Sequence, residues 1–222
     1  DGRFLFCLRF NTYFYIPETP CLITLATGEI QPIPTDFDEN IRPLAWRETG
    51  IIFAAAQRTS FHYFWLEPFN GTVRQITPEL ADGWVSFAFT GSVSPDGRAA
   101  AFIMDNANQL SEVLFFNLEN GRWRTLTRFT DAVSNWQLSQ PEPYQWTSAD
   151  GTPIEGMLTR PANFDPQKKY PLLVAIHGGP GWVSLQQRVG RFERRLYPLP
   201  LWAAKGAFIL QPNYRGGIGY GA

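Results

Sequence analysis

The sequence predicts a two-part fold: an all-β region over residues 1–140, followed over residues 141–222 by the first elements of an α/β domain. Three observations support this prediction. In the first region, short runs of Phe, Tyr, Trp, Val and Ile alternate with turn residues, without a lasting helical period. Turn signals recur there after 48 and 47 residues. From about residue 150, short apolar runs flank a helix-like stretch, which is typical of a βαβ unit.

Composition excludes several classes of protein. The 222 residues are 44% hydrophobic and 15% aromatic, and a net charge of −1 gives no reason to expect nucleic acid or an anionic membrane as a partner. No stretch approaches the roughly 20 apolar residues of a spanning helix. The chain opens on Asp1-Gly2 without a signal-like segment, so we expect its natural N-terminus to be missing or processed. The compartment stays open, with a slight preference for the cytoplasm over the periplasm or secretion.

Cysteine and histidine are too few and too scattered to predict a disulfide framework or a zinc site. Cys7 and Cys21 lie on successive strand-like runs and could face each other, but we interpret them as two buried thiols. His62 and His177 are the two histidines of the chain. The sequence therefore predicts no metal ion and no cofactor.

The all-β region repeats itself in its turns. One class of turn, followed each time by an apolar strand, falls at Asp1-Gly2, Thr49-Gly50 and Asp96-Gly97. A second class, suited to tight hairpins, falls at Thr27-Gly28, Asn70-Gly71 and Asn120-Gly121. A repeat of about 40–50 residues with about four strands is typical of a β-propeller blade. Three such blades are too few to close a ring, so we predict an incomplete propeller; the alternative is a β-sandwich with coincidental turn spacing.

The second region reads as strand, helix and strand. Residues 171–176 form a continuous apolar run, which predicts a strand buried on both faces of a largely parallel sheet. Helix-like sequence over residues 186–205 is followed by Gly206, a favourable C-terminal cap, and then by the apolar run 207–210. Three arginines share one face of that predicted helix, and we interpret them as a solvated face rather than a carboxylate site: Arg188, Arg191 and Arg195.

The motif that carries chemistry is His177-Gly178-Gly179-Pro180-Gly181, directly after the apolar run. Glycines at the end of a strand let backbone amides approach a ligand closely. A backbone N–H fixed where negative charge develops on a substrate carbonyl forms part of an oxyanion hole, and α/β-hydrolases use loops of this type. A dinucleotide fingerprint would need a third glycine, and a P-loop would need Gly-Lys-Ser/Thr. A bare tight turn is the remaining alternative.

Further segments follow one another in a characteristic order: Asp150-Gly151, Phe164-Asp165-Pro166, Lys168-Lys169-Tyr170-Pro171, the histidine-glycine motif and Asn213-Tyr214-Arg215-Gly216. The set, densest over residues 92–221, resembles the junction between propeller and catalytic domain in the prolyl-oligopeptidase family, nearest to its acylaminoacyl-peptidase-like and dipeptidyl-peptidase-like branch. The resemblance implies the end of a propeller and the start of an α/β-hydrolase domain. It also implies a serine-type peptidase that cleaves short peptides through an acyl-enzyme, without a cofactor, a nucleic acid or a membrane as partner.

The resemblance also assigns site residues. It implies that the amide of Gly179 forms half of the oxyanion hole and that Gly178 shapes the loop. His177 stands where some relatives use a tyrosine hydroxyl, so we interpret it as a loop-shaping or oxyanion-side residue and not as the triad base. Tyr214 and Arg215 match the loop that borders the substrate cleft. The family pattern has serine in that loop where this chain has Gly217.

The nucleophile elbow G-x-S-x-G does not occur in the 222 residues. Because the triad in this fold follows the order Ser, Asp or Glu, His, we expect all three downstream and the 222-residue chain inactive alone. One alternative is an esterase-like α/β-hydrolase, which usually needs no β-rich N-terminal domain. The other is a propeller-based binding protein with a degenerate hydrolase domain, which needs no oxyanion donor. The oligomeric state is left open.

Overall fold

The computed structural model describes residues 2–11, 17–78, 85–136, 139–179, 181–188 and 198–221, with residues 85–90 described through their backbone alone. The described strands form four sheets that follow one another along the chain. Helix is confined, in this part of the chain, to a 3-10 turn at Phe129–Val133 and one helix, α1 (Leu199–Ala204). The molecule is therefore dominated by β-structure.

The first three sheets are antiparallel, and each is built from strands that are neighbours in sequence. The first consists of β1 (Phe4–Arg9), β2 (Thr19–Thr24) and β3 (Ile30–Pro32). The second consists of β4 (Arg42–Arg47), β5 (Gly50–Gln57), β6 (Ser60–Leu66) and β7 (Val73–Gln75). The third consists of β8 (Val85–Val93), β9 (Ala99–Asp105), β10 (Glu112–Asn117) and β11 (Trp123–Thr125).

The fourth sheet is mixed. Its strands are β12 (Pro141–Thr147), β13 (Pro153–Thr159), β14 (Leu172–Val174) and β15 (Phe208–Asn213). They lie side by side in the order β12-β13-β15-β14, with β15 antiparallel to β13 and parallel to β14. The helix α1 lies in the connection from β14 to β15, so this part of the chain is a βαβ unit joined to an antiparallel hairpin.

The predicted turns occupy equivalent places in successive sheets. Gly28, Gly71 and Gly121 lie in the last hairpin of the first, second and third sheet, with φ of +73°, +76° and +70°. These backbone conformations are in the left-handed region, where glycine carries no Cβ penalty. Gly50, the first residue of β5, and Gly97 likewise lie where the first two strands of the second and third sheet are connected. The repeat inferred from the sequence is therefore a repeat of hairpins.

Neighbouring sheets pack face to face through the central strand β5. Ile51, Phe53 and Ala55 belong to the core shared with the first sheet, whereas Ile52 and Ala54 belong to the core shared with the third. Successive side chains of a strand point to opposite faces, so a strand covered on both sides is apolar without interruption. All five side chains are almost completely buried.

Two contacts hold the second sheet against the third. The rings of Tyr63 and Phe102 stack with centroids 3.6 Å apart, and both side chains are fully buried. The guanidinium of Arg47 donates to the carbonyl oxygens of Ser94 and Val93, each at 3.0 Å, on the third sheet. Carbonyls that face a sheet boundary are thereby satisfied, which avoids the desolvation penalty of an unpaired backbone group.

The structure corrects two expectations for the second region. Residues 186–188 are not helical, residues 189–197 lie outside the described residues, and the helix spans Leu199–Ala204. The strand at 171–176 is also not buried on both faces: Leu172 and Val174 are 54% and 53% exposed. The physical reason is that side chains alternate between the two faces of the sheet: Leu173 packs against the core of α1 and β15, whereas Leu172 and Val174 point to the opposite face.

The two cysteines face each other across the first sheet. Cys7 on β1 and Cys21 on β2 are direct partners in the antiparallel register, and both are free thiols. Cys21 is fully buried and Cys7 is partly exposed. Burial, with a smaller contribution from Cys21, raises the pKa of the Cys7 thiol. A thiol in this state reacts slowly at neutral pH, because the thiolate is the reactive form.

Candidate active site

The histidine-glycine loop and the loop after β15 meet at one edge of the fourth sheet. Pairing between β14 and β15 continues past Val174, since the amide of Ala175 donates to the Leu210 carbonyl at 2.8 Å. The chain then enters the loop at residues 176–179, while β15 ends at Asn213. Because parallel neighbours end at the same edge of a sheet, His177 and Tyr214 come together there.

His177 and Tyr214 make two contacts with each other. Their rings stack with centroids 4.4 Å apart and an interplanar angle of 19°. The Tyr214 hydroxyl also donates to the backbone carbonyl of His177 at 2.9 Å. Tyr214 therefore holds both the side chain and the backbone of the histidine, and it fixes the start of the glycine segment.

The imidazole of His177 leaves one nitrogen without a partner. Its Nδ1 lies 3.1 Å from the Gly178 carbonyl oxygen. Its Nε2 is buried and has no hydrogen-bond partner among the residues that the structure describes. A buried polar atom without a partner is costly to leave unpaired, which marks Nε2 as a position where a ligand group could bind.

The two glycines after His177 differ in what they require. Gly179 has a φ of +141°, and a Cβ there would lie 2.8 Å from the Trp182 nitrogen. Gly178 has an ordinary φ, and a Cβ there would meet nothing within 4 Å. Position 179 therefore needs glycine both for its backbone conformation and for space, whereas position 178 does not. Within the described residues, nothing accepts a hydrogen bond from the Gly179 amide.

Arg215, the residue after Tyr214, forms an ion pair with a neighbouring turn. Its guanidinium lies 2.6 Å from a carboxylate oxygen of Asp150, in the turn between β12 and β13. Hydrogen bonds from Ser148, from the Thr152 backbone and from Arg215 hold the pKa of Asp150 well below its usual range. Both partners are largely exposed, so the pair stabilises the fold little.

A buried polar network that the sequence analysis missed anchors the end of β15. The carboxamide of Asn213 accepts from the Ser184 amide at 2.6 Å and donates to the Ser184 carbonyl at 3.0 Å. It also donates to the Tyr220 hydroxyl, which in turn donates to Glu155 on β13. Burial raises the pKa of the Tyr220 phenol, so this hydroxyl stays a donor. A polar residue closing an apolar strand was the available signal for Asn213.

The segment after the glycines packs on the hairpin between β5 and β6. Val183 and Leu185 share a small core with Ala56 and Phe61 of that hairpin. The amide of Gln186 donates to the Thr59 carbonyl at 2.8 Å. These contacts tie the candidate active site to the second sheet. They also explain why the predicted helix does not begin at residue 186, since the backbone and side chain of Gln186 bind the hairpin instead.

The described part of the chain contains no group of three His, Cys, Asp or Glu side chains arranged to hold a metal ion. None of the helices in that same part has the length and apolar character needed to cross a membrane.

Comparison with curated proteins finds relatives that are similar to this chain in sequence. No protein-family model matches the chain. A dipeptidyl-peptidase 5 from Porphyromonas gingivalis is 26% identical over 200 residues, which cover 89% of this chain and 28% of that protein. A probable dipeptidyl-peptidase 5 from Arthroderma benhamiae is 33% identical over 231 aligned residues, covering 100% of this chain and 30% of that protein. The chain thus spans less than a third of the length of these curated relatives.

Solved structures share the fold. An acylaminoacyl peptidase from Pyrococcus horikoshii superposes with a TM-score of 0.75 at 18% identity, over 100% of this chain and 32% of that one. An acylaminoacyl peptidase in complex with Z-Gly-Gly-Phe-chloromethyl ketone gives a TM-score of 0.73 at 20% identity, over the same shares of 100% and 32%. The relatives in sequence and the shared fold agree with the ordered motifs around His177 and Tyr214. The chain is thus similar in sequence to dipeptidyl-peptidases and in fold to acylaminoacyl peptidases.

Proposed function

We propose that the protein containing this chain is a serine-type peptidase that cleaves short peptides through an acyl-enzyme. The observation that carries the proposal is the loop of His177, Gly178 and Gly179, held by Tyr214 at the carboxyl edge of the β14–β15 pair. The names of the relatives support a peptidase: dipeptidyl-peptidase 5 in sequence and acylaminoacyl peptidase in structure.

In this proposal, residues 1–140 are the last blades of a β-propeller and residues 141–222 begin an α/β-hydrolase domain. The hairpin repeat and the face-to-face packing through β5 support the first assignment. The parallel pair β14–β15 with α1 between the strands supports the second. The boundary lies directly before Pro141, where the fourth sheet begins.

The proposed chemistry assigns one role to each loop residue. The Gly179 amide donates to the carbonyl oxygen of the cleaved bond as it becomes an oxyanion, and it does so without reorganisation because the loop is already fixed. Gly178 lets the backbone come close to the substrate. His177 shapes the loop through its stacking on Tyr214, and its unpaired Nε2 faces a further polar group of the bound state. Tyr214 and Arg215 border the cleft.

The same proposal places the nucleophile elsewhere. The 222 residues contain no G-x-S-x-G segment, so this chain supplies one side of the oxyanion hole and no activated serine. We therefore propose that the 222-residue chain alone hydrolyses no peptide, and that short peptides are the substrates of the full-length protein.

The proposed function is tested on the full-length protein with a fluorophosphonate probe and a set of short chromogenic peptides. We expect one serine outside these 222 residues to be labelled and the labelling to abolish peptide cleavage. Cleavage of small esters without cleavage of peptides would favour an esterase. The absence of both labelling and hydrolysis would favour a binding protein. Either of these two outcomes contradicts the proposal.

The role of the loop is tested by a matched pair of alanine substitutions in the full-length protein. Gly179→Ala forces a Cβ against the Trp182 backbone and displaces the amide, so we expect kcat to fall by about 10²–10³, as when one oxyanion donor is lost. Gly178→Ala meets nothing within 4 Å and leaves the Gly179 amide in place, so its loss of kcat is expected to be at least about tenfold smaller. Equal kcat in the two variants would contradict the assignment of the donor.

A further inference from the structure

Glu39 is a buried carboxylate whose hydrogen bonds reach a distant part of the chain. It lies in the connection between β3 and β4 and is 5% exposed. No lysine or arginine forms an ion pair with it in the described part of the chain. A buried charge that is not neutralised destabilises a fold unless hydrogen bonds compensate it, so its partners indicate why it is there.

Those partners are two backbone amides of the glycine-rich loop that follows β15. One carboxylate oxygen accepts from the amide of Gly219 at 2.8 Å, and the other accepts from the amide of Gly221 at 2.7 Å. Burial raises the pKa of Glu39, and the two glycine amides oppose this shift. The carboxylate thus bridges two amides that lie two residues apart, and it draws the loop into a tight curve.

The loop has the backbone that this bridge requires. Gly219 and Gly221 have φ of +96° and +80°, which favour glycine. A Cβ at Gly219 would lie 2.9 Å from the Arg58 carbonyl oxygen, and a Cβ at Gly221 would lie 2.6 Å from a carboxylate oxygen of Asp38. The Arg58 amide also donates to the Gly219 carbonyl at 2.6 Å. The loop therefore contacts residues from the first 60 of the chain on both sides: Asp38 and Glu39 on one, Arg58 on the other.

This loop, residues 214–221, begins with Tyr214, which holds His177. Tyr220, which lies between the two bridged glycines, is a further anchor, since its hydroxyl bonds to both Asn213 and Glu155. Loss of the bridge at Gly219 and Gly221 would release the far end of the loop while β15 stays in place. Tyr214, whose side chain stacks on the histidine, is the first residue of this same loop.

We propose that Glu39 is a positioning residue: by bridging the amides of Gly219 and Gly221, it fixes the loop that holds Tyr214 against His177. It acts through Tyr214 and touches neither substrate nor reacting atoms. The catalytic part of this inference rests on the proposed function. In physical terms, a residue of the all-β part sets the geometry of the oxyanion loop in the α/β part.

The test compares two glutamate variants in the full-length protein. Glu39→Gln replaces one accepting oxygen by an amide group that cannot accept, so one of the two backbone bonds is lost. The matched control is Glu67→Gln, because Glu67 also accepts from two backbone amides, those of Phe69 and Asn70, but within its own hairpin turn. The measurements are hydrogen exchange of residues 214–221 and kcat and KM per phosphonate-titrated serine.

For Glu39→Gln we expect exchange in residues 214–221 to become at least about tenfold faster. We expect kcat to fall about tenfold or more with KM changed less than about threefold, because a misplaced oxyanion donor weakens the transition state alone. Glu67→Gln is expected to change neither. Normalising to titrated serine separates this effect from partial unfolding, which lowers the titre and not kcat per site.

Unchanged exchange in residues 214–221 of Glu39→Gln would overturn the inference, and so would faster exchange with wild-type kcat and KM. If Glu39→Gln does not fold, Glu39→Asp keeps the charge but shortens the side chain, and exchange in residues 214–221 faster than in wild type with a lower kcat is then expected. A wild-type protein without peptidase activity would overturn the proposed function. The exchange experiment would in that case still decide whether Glu39 holds the loop.

Discussion

The α-carbon of Gly217 lies so close to Trp182 that a Cβ at position 217 would stand 2.7 Å from the Trp182 carbonyl oxygen. The resembling family has serine at this position. In this chain the segment after the histidine-glycine loop occupies the space that a serine side chain would take. The departure from the family pattern is therefore matched by the path of the neighbouring segment.

We accordingly expect Gly217→Ser to destabilise the protein by about 1–3 kcal/mol, since a backbone carbonyl cannot move aside as a flexible side chain can. Gly178→Ser is the control, because a Cβ there meets nothing within 4 Å and its φ is ordinary. Urea unfolding of the full-length protein, followed through the tryptophan fluorescence, measures both. A Gly217→Ser variant as stable as the control would show that the Trp182 segment adapts freely.

A second prediction concerns acid stability of the third sheet. Glu112 is 3% exposed and accepts from the Thr127 hydroxyl, from the Phe129 amide, and from the amide and hydroxyl of Thr130. Burial alone would raise the pKa of Glu112, but these hydrogen bonds outweigh it and the pKa lies below the ordinary value of 4.5. A depressed folded-state pKa means that the stabilisation is complete above 4.5 and is lost as the pH falls through the folded-state pKa.

Glu112→Gln should therefore lower the free energy of local opening by about 2–4 kcal/mol at neutral pH, with the difference from wild type shrinking in acid. Native-state hydrogen exchange of residues 112–130 at a series of pH values measures it. Glu119→Gln serves as the control, because Glu119 is 58% exposed in its pair with Arg98 and contributes at most about 1 kcal/mol. A constant difference between Glu112→Gln and wild type at every pH would contradict the assigned charge state.

The edge strand β14 gives a third prediction, for the 222-residue chain alone. Leu172, Val174 and Ile176 are 54%, 53% and 71% exposed, and they are neighbours on one strand and its extension. We expect this chain to bind a hydrophobic dye strongly and to aggregate, since an open apolar strand edge invites pairing between chains. Val174→Thr should lower the dye signal.

The control for that experiment is Leu25→Thr, because Leu25 is 55% exposed but lies at a turn of the first sheet. Equal dye signals from the two variants, or a sharp two-state melt of a monomer, would show that β14 is not the surface that binds the dye and drives aggregation.

The fourth prediction concerns substrate size and rests on the proposed function. If residues 1–140 belong to a closed propeller seated over the cleft, long or folded substrates are excluded whatever the residue at the cleaved bond. The full-length protein should then cleave short chromogenic peptides and leave casein largely intact. One cleavable sequence in peptides of increasing length tests this: a cliff in kcat/KM supports filtering, and a flat profile that includes casein refutes it.

How far the sequence predicts the structure depends on whether the determining contacts are local. The hairpin turns at Gly28, Gly71 and Gly121 were predicted from dipeptides, because a left-handed backbone is a property of the turn itself. The run at 171–176 was predicted as a strand buried on both faces, but the exposure of Leu172 and Val174 depends on which elements pack against that face of the sheet. The helix predicted from residue 186 failed at its start because Gln186 binds Thr59, a partner far away in sequence.

The candidate site shows the same division. The histidine-glycine motif can be recognised in the sequence from its residues alone. The stacking of His177 on Tyr214 follows from the parallel register of β14 and β15. Glu39 carries no signal in its own neighbourhood, since its two partners are amides 180 and 182 positions further along the chain. Backbone amides are present at every residue, so no sequence pattern distinguishes the two that this carboxylate binds.

The order of strands in the fourth sheet has a consequence for synthesis on the ribosome. β13 pairs on one side with β12, which precedes it, but its other side and the strand β14 pair with β15, which is made last. Until residues 208–213 leave the exit tunnel, one edge of β13 and one edge of β14 have no partner strand in the nascent chain. In contrast, every hairpin of the first three sheets can close as soon as its second strand emerges. During this interval β13 and β14 are exposed to pairing with other chains. Slowing translation between β14 and β15 should therefore reduce the yield of native protein, and slowing it between the first three sheets should not.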